Sequence, residues 1–257
     1  GERVHSFGDG ATWQEEERSG WGISLMSENE ETKTVNGRTA GKQANDASET
    51  RAILQGLLET NPEDDLTIYC DNQGCIDTWH KPMKMHKLMG IERNNKAMWN
   101  RIQAVREHRE DVGSETRMEW VHSHVDDEKR RKKGGKGKYT CACGGTNEEG
   151  QEGCTKPNEE GHWVHVGNEA ADSEAAEGAK KQKPDKEEVR AGEYPYIIVS
   201  KENDTDSAQG SYKEWVELKQ WQKAGETPST SRDRIEEAGK IADKRATKST
   251  IKSLGQE

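Results

Sequence analysis

Asp9, Glu49, Asp71 and Asp172 are carboxylates set far apart along the chain, each at the end or in the first turns of an element that the residue pattern predicts. Asp71 shows this most plainly. Leu66, Ile68 and Cys70 alternate with Thr67, Tyr69 and Asp71, the period of two of a pleated strand. Asn72 and Gln73 then open a turn into a helix, so Asp71 sits where a carboxylate can point into a cleft. Taken alone, it reads first as a helix N-cap, a position Asp favours, and only its company elsewhere in the chain favours the cleft. Carboxylates gathered at one place repel one another, and hard divalent cations relieve that repulsion. A second set, Cys141-x-Cys143, Cys154, His162 and His165, has the residue types of a tetrahedral Zn²⁺ site. Its spacing matches no standard finger, and its Gly- and Glu-rich surroundings favour a disordered loop.

The elements that must position these groups can be read in order. Arg3 to Asp9 is a first strand, with Asp9 at its end, and Trp21 to Met26 a second. Thr32 to Val35 and Arg38 to Gly41 flank Asn36-Gly37, a strong hairpin signal, which makes an antiparallel meander. Ser48 to Glu59 has the apolar face of a helix in Ala52, Ile53, Leu54, Leu57 and Leu58, with Glu49 in its first turn, and Asn61-Pro62 ends it. After the Leu66 to Asp71 strand come a short helix through Trp79, a polar connection over 80–93, a helix from Asn94 to His108 and a strand from Arg117 to His124. Residues 126–161 lose all periodicity. Asn168 to Lys180 reads as an Ala-rich helix with Asn168 as N-cap and Asp172 in its first turn or two. Beyond Lys181 the pattern gives a strand over Tyr194 to Ser200 and a helix over Tyr212 to Lys223 carrying Trp215, Leu218 and Trp221.

Composition bounds the body that can form. Only 29% of the 257 residues are hydrophobic and 34% are charged, which predicts an ordered domain of roughly 150 residues plus long polar segments. The net charge of −10 argues against a general nucleic-acid coat protein, so phosphate binding would rest on local Lys/Arg clusters or on metal ions. No apolar run approaches the ~20 residues that span a bilayer, and no secretory signal is visible. Five cysteines, an odd number, suggest reduced thiols in an intracellular, non-secreted protein. A start at Gly1 rather than Met suggests a piece of a longer chain.

Five motifs, in order, carry a resemblance: Phe7-Gly8-Asp9-Gly10, Ser48-Glu49-Thr50-Arg51-Ala52-Ile53, Ile68-Tyr69-Cys70-Asp71-Asn72, Trp120-Val121-His122-Ser123-His124 and Gly167-Asn168-Glu169-Ala170-Ala171-Asp172. Together they resemble the type 1 ribonucleases H, including the ribonuclease H domains of reverse transcriptases, over about residues 3–180. The resemblance implies an α/β ribonuclease H-like fold: a five-stranded mixed sheet, three strands antiparallel and then parallel ones, flanked by helices. It divides the chain into a domain over 1–180, with a long insert over 126–164, and a polar, partly disordered extension over 181–257. It implies a metal-dependent endonuclease that hydrolyses the RNA strand of RNA/DNA hybrids. Asp9, Glu49, Asp71 and Asp172 would hold two Mg²⁺ (or Mn²⁺) ions, whose chemistry suits phosphodiester hydrolysis. His124 matches the family's loop histidine, with His165 as a weaker rival and His122 as structural. Asn45, Gln73 and Asn95 fall where the family approaches its hybrid substrate, and Trp99 matches a packing aromatic.

Departures from the family pattern shape the remaining expectations. The basic protrusion is reduced to Lys81, Lys84, Lys87 and Arg93, and Glu174 replaces an apolar residue, which would loosen the last helix. The basic run Lys129 to Lys133 is a candidate backbone contact, salt-sensitive and blind to sequence. The long insert resembles those of retrotransposon reverse transcriptases, so other domains of such a polyprotein are expected partners. The competing expectation is a catalytically inactive structural or hybrid-binding domain.

Overall fold

In the computed structural model, residues 2–27, 30, 32–81, 95–121, 163–185, 192–200 and 219–223 are described. Five strands, β1 (Arg3–Trp13), β2 (Arg18–Ser27), β3 (Lys33–Arg38), β4 (Asp65–Cys70) and β5 (Thr116–Trp120), form one sheet in the order β3-β2-β1-β4-β5. The β1–β2 and β2–β3 pairs are antiparallel, and the β1–β4 and β4–β5 pairs are parallel. This is the ribonuclease H-like arrangement.

Side-chain alternation sorts β1 between two layers. Ser6, Gly8 and Gly10 face helix α1 (Asn45–Glu59), where Gly8 meets Ala52 and Gly10 meets Ser48. Phe7 faces helix α4 (Trp163–Lys180), whose Gly167 backbone lies against the Phe7 ring. Helices α2 (Gln73–His80) and α3 (Lys96–Val112) complete the α1 side. The main core lies there: Leu54, Leu57, Leu66, Ile68, Trp79, Trp99, Ile102 and Val105 are buried together.

Arg109 on α3 is fully buried. Its guanidinium donates to the carbonyls of Thr60, Asn61 and Asp64 and to Thr116 Oγ1. Burial pushes its pKa down to about 10, yet it keeps its charge at neutral pH. These bonds close the backbone between α1 and β4, a stretch whose buried carbonyls need partners.

Several elements differ from the sequence expectations. β1 does not end at Asp9 but runs to Trp13, paired with Arg18. Asn36-Gly37 is no hairpin turn; it lies within β3 opposite Gly22 and Trp21. There Asn36 is needed to donate to Glu174, and Gly37 lets the Trp21 indole approach. Glu174 Oε2 accepts that bond at 2.6 Å, and α4 runs on past Glu174 to Lys180. α4 starts at Trp163, so Asn168 is inside the helix rather than its cap, and Asp172 lies in its third turn. Lys219–Lys223 is a strand (β7) paired antiparallel with Tyr196–Ser200 (β6) where a helix was expected, because the ladder with β6 outweighs local helical spacing.

α4 can lie on β2 only because Gly20 and Gly22 carry no side chain. A Cβ at Gly22 would overlap the backbone of Glu174 and Ala175, and one at Gly20 would overlap Ala175 and Ala179. Backbone cannot yield as a side-chain tip can. Gly22→Ala is expected to cost about 2 kcal/mol or more, read as a lower urea midpoint, and to weaken divalent-cation binding by displacing the helix that carries Asp172.

Candidate metal centre

Register explains how Asp9 and Asp71 meet. The last β1–β4 pair is Phe7 with Tyr69. Two residues further along each strand, with side chains on the same face, come Asp9 and Asp71. Asp71 is not the cap of α2: the Asn72 side chain accepts from the Cys75 amide and does that work. The third acid comes from α1, which begins three residues before its expected start and places Glu49 in its second turn. Carboxylate oxygens of Asp9, Glu49 and Asp71 all lie within 4.8 Å of one another. Asp172 stands on α4 within hydrogen-bonding reach of Asp9. The fold thus gathers Asp9, Glu49 and Asp71 at one place and sets Asp172 beside Asp9.

Two of the four sit in dry surroundings, and Asp71 and Asp172 are half-buried. Asp9 is 4% exposed and Glu49 2%. Burial, with the charge of Asp71 and the neighbouring Asp172, drives the Asp9 pKa well above its ordinary value. Burial, then the charges of Asp9 and Asp71, does the same to Glu49. One oxygen of each acid is fixed. Asp9 Oδ1 accepts from the Gly10 amide at 2.8 Å, and Glu49 Oε1 accepts from Asn45 Nδ2 at 3.3 Å. Glu49 Oε2 is buried and accepts no hydrogen bond from the described residues. An orphaned carboxylate oxygen beside Asp9 and Asp71 fits a hard, oxygen-seeking divalent cation.

The other anticipated residues are spread around this centre. Asn45 is exposed at the start of α1. Gln73 is exposed in α2, where its Nε2 donates to Asp77 Oδ1 at 2.9 Å. Asn95 precedes α3 in the left-handed conformation (φ 57°) and donates to Asp46 Oδ2 at 3.3 Å. Trp99 is buried in the core, as a packing aromatic should be. His122, His124, Lys84, Lys87, Arg93, the basic run at 129–133 and the three cysteines Cys141, Cys143 and Cys154 lie outside the described residues, as does the side chain of His165. Sequence reasoning passed over Cys70 and Cys75, whose thiols lie within hydrogen-bonding reach of each other. Their five-residue separation across a strand end and a first helical turn was the available signal.

The RNase H family profile matches residues 1–133, which covers Asp9, Glu49 and Asp71 and stops before Asp172. No curated protein matches the sequence. Among solved structures, the chain is similar to RNase H1 from the halophilic archaeon Halobacterium salinarum NRC-1, with 17% identity and a TM-score of 0.32, over 48% of this chain and 89% of that one.

The raised pKa values set a pH dependence. In the unfolded chain Asp9 and Glu49 lose their protons near their ordinary values of 3.8 and 4.5, whereas in the folded, metal-free protein they hold them to higher pH. The folded state then binds more protons, so stability is greatest below the ordinary values and declines as pH rises through the shifted ones. Thermal melts of metal-free protein should show Tm falling as pH is raised from about 4. Asp9→Asn should flatten that fall and raise Tm at neutral pH. Mn²⁺ should raise the wild-type Tm more than that of the variant.

Proposed function

Because the chain belongs to the RNase H family, we propose that it is a ribonuclease H that cuts the RNA strand of RNA/DNA hybrids by metal-assisted hydrolysis. The observation that carries this reading is the convergence of Asp9, Glu49 and Asp71 within 4.8 Å, with Asp172 beside Asp9. All four donors are carboxylates, which suits Mg²⁺ or Mn²⁺ over softer metals. The four acids would hold a pair of such ions. Bound there, divalent ions supply activation of the attacking water and relief of charge on the phosphate and the leaving oxygen.

The chain's own residues do the rest. Gly10 and Asn45 each tie down one oxygen of an acid, which leaves a second oxygen on each for a cation. The β1–β4 register fixes Asp9 beside Asp71, so no reorganisation is needed when substrate arrives. Asn45, Gln73 and Asn95 would read the hybrid's sugars and backbone, where the 2′-hydroxyl distinguishes RNA from DNA. His124 would move protons at the reacting phosphate, a task suited to a group that titrates near neutrality. We place the domain in a retroelement reverse transcriptase that acts inside the cell. That placement is supported by the long stretch of sequence between β5 and α4. Among the described residues no helix is long and apolar enough to cross a membrane.

A labelled RNA/DNA hybrid incubated with Mg²⁺ should be cut in its RNA strand, and EDTA should stop the cutting. Asp71→Asn should lose more than the roughly 100-fold that removal of a mere supporting contact costs, with hybrid binding retained. Equal cutting by wild type and Asp71→Asn would overturn the nuclease reading. Binding with no cutting by either would favour the inactive, hybrid-binding domain.

A further inference from the structure

Cys70 ends β4, one residue before Asp71, and Cys75 lies in the first turn of α2. Both thiols are reduced and buried, at 1% and 4% exposure. They are within hydrogen-bonding reach of each other, so they face one another across the turn that carries Asp71. Cys70 Sγ accepts from the Asn72 amide at 3.4 Å, and Asn72 Oδ1 accepts from the Cys75 amide at 3.1 Å. Cys75 Sγ also lies 3.8 Å from Thr50 Oγ1, on the residue next to Glu49. The pair therefore borders two of the four acids and plays no part in the hydrolysis described above.

We infer that Cys70 and Cys75 form a redox-modifiable pair, and that a reversible disulfide between them switches the neighbouring carboxylate centre off. The oxidant is of the hydroperoxide class. One thiolate attacks the peroxide oxygen, the O–O bond breaks, and a sulfenic acid forms as water or an alcohol leaves. The second thiol displaces the sulfenic hydroxyl as water, and the S–S bond forms. Two thiols are oxidised by two electrons in all, and one peroxide is reduced. A dithiol reductant reverses the step by exchange.

The consequence follows from distance. A disulfide closes the sulfurs to about 2.05 Å, well inside hydrogen-bonding separation. The four intervening residues must absorb the difference. β4 is held by β1 through Tyr69 and by β5 through Cys70, so the yielding part is the Asp71–Gly74 turn and the first turn of α2. Asp71 then leaves its place beside Asp9 and Glu49. The effect on cutting rests on the nuclease reading; the formation of the bond does not.

The test uses the whole chain with Cys141, Cys143 and Cys154 replaced by Ser, treated with hydrogen peroxide and compared with the same protein after dithiothreitol. Peptide mapping should find Cys70 linked to Cys75. Mn²⁺ affinity should fall by at least tenfold, hybrid cutting should fall in parallel, and both should return on reduction. Cys75→Ala should be insensitive to peroxide; if that variant fails to fold, the mapping of the parent protein decides. Failure to find the linkage would overturn the inference, as would a linkage that leaves Mn²⁺ affinity unchanged. Absence of Mn²⁺ binding and cutting in fully reduced protein would instead sink the nuclease reading, and the mapping would still decide whether the bond forms.

Discussion

Two carboxylates kept out of water beside a third are the costly feature that the remaining structure has to support. Asp9 and Glu49 would each be better hydrated elsewhere, and their raised pKa values measure that discomfort. Nothing in their own chemistry draws them together. The scaffold does it by rigid means: a parallel register that sets Asp9 beside Asp71, and a glycine at position 10 that lets the start of α1 approach β1. Hydroxyls of Ser19, Thr39 and Ser48 bond among themselves under the first turns of α1 and pin the end that carries Glu49. On the opposite face, the bare backbones of Gly20 and Gly22 allow α4 to come down with Asp172. Groups held this firmly are preorganised for a cation that would relieve their repulsion, and relief of that kind is binding energy.

α1 is packed between the sheet and α3, and even its polar side chains are buried. It solves the resulting hydrogen-bonding problem along its own axis. Arg51 lies over the Trp21 ring, 4.3 Å from its centroid, and donates to Gln55; Gln55 donates to Glu59, and Glu59 pairs with Lys33 at 2.7 Å. Each link spans one helical turn, the i,i+4 spacing that places side chains over one another. A wholly apolar helix would fill the same space. This one joins the fixed end at Glu49 to a charged anchor at Glu59 and resists sliding as a result.

Much of this was legible in the sequence because it depends on local pattern. The strand through Asp71 shows its period of two, and the helix over Leu54, Leu57 and Leu58 shows its apolar face. Motifs in the order of a known family then supplied the gathering of the acids, which no local pattern contains. What could not be read depends on contacts across the fold. Asn36-Gly37 carries a hairpin signal, but its Asn and Gly are spent on Glu174 and Trp21. Lys219–Lys223 has helical company in sequence but a strand partner in space. Asn168 has the chemistry of a cap, but α4 begins a turn and a half earlier. In each case a tertiary contact outweighed a propensity worth less than about 1 kcal/mol.

The scarcity of hydrophobic residues makes the placement of each large one consequential, and Tyr194 shows how. It follows the last helix of the sheet domain, yet it is fully buried. Its amide donates to the Leu58 carbonyl at 2.9 Å, its hydroxyl bonds His108, and its ring meets that imidazole edge-on. Lys33 ties the same corner by pairing with both Glu59 and Glu193. This plug closes the end of α1 remote from the acids. Between Glu49 and Leu58 the helix rises about 14 Å, one end clamped at the carboxylate centre and the other under Tyr194. A helix held at both ends resists tilting, so an aromatic far from the acids helps keep Glu49 beside Asp9 and Asp71.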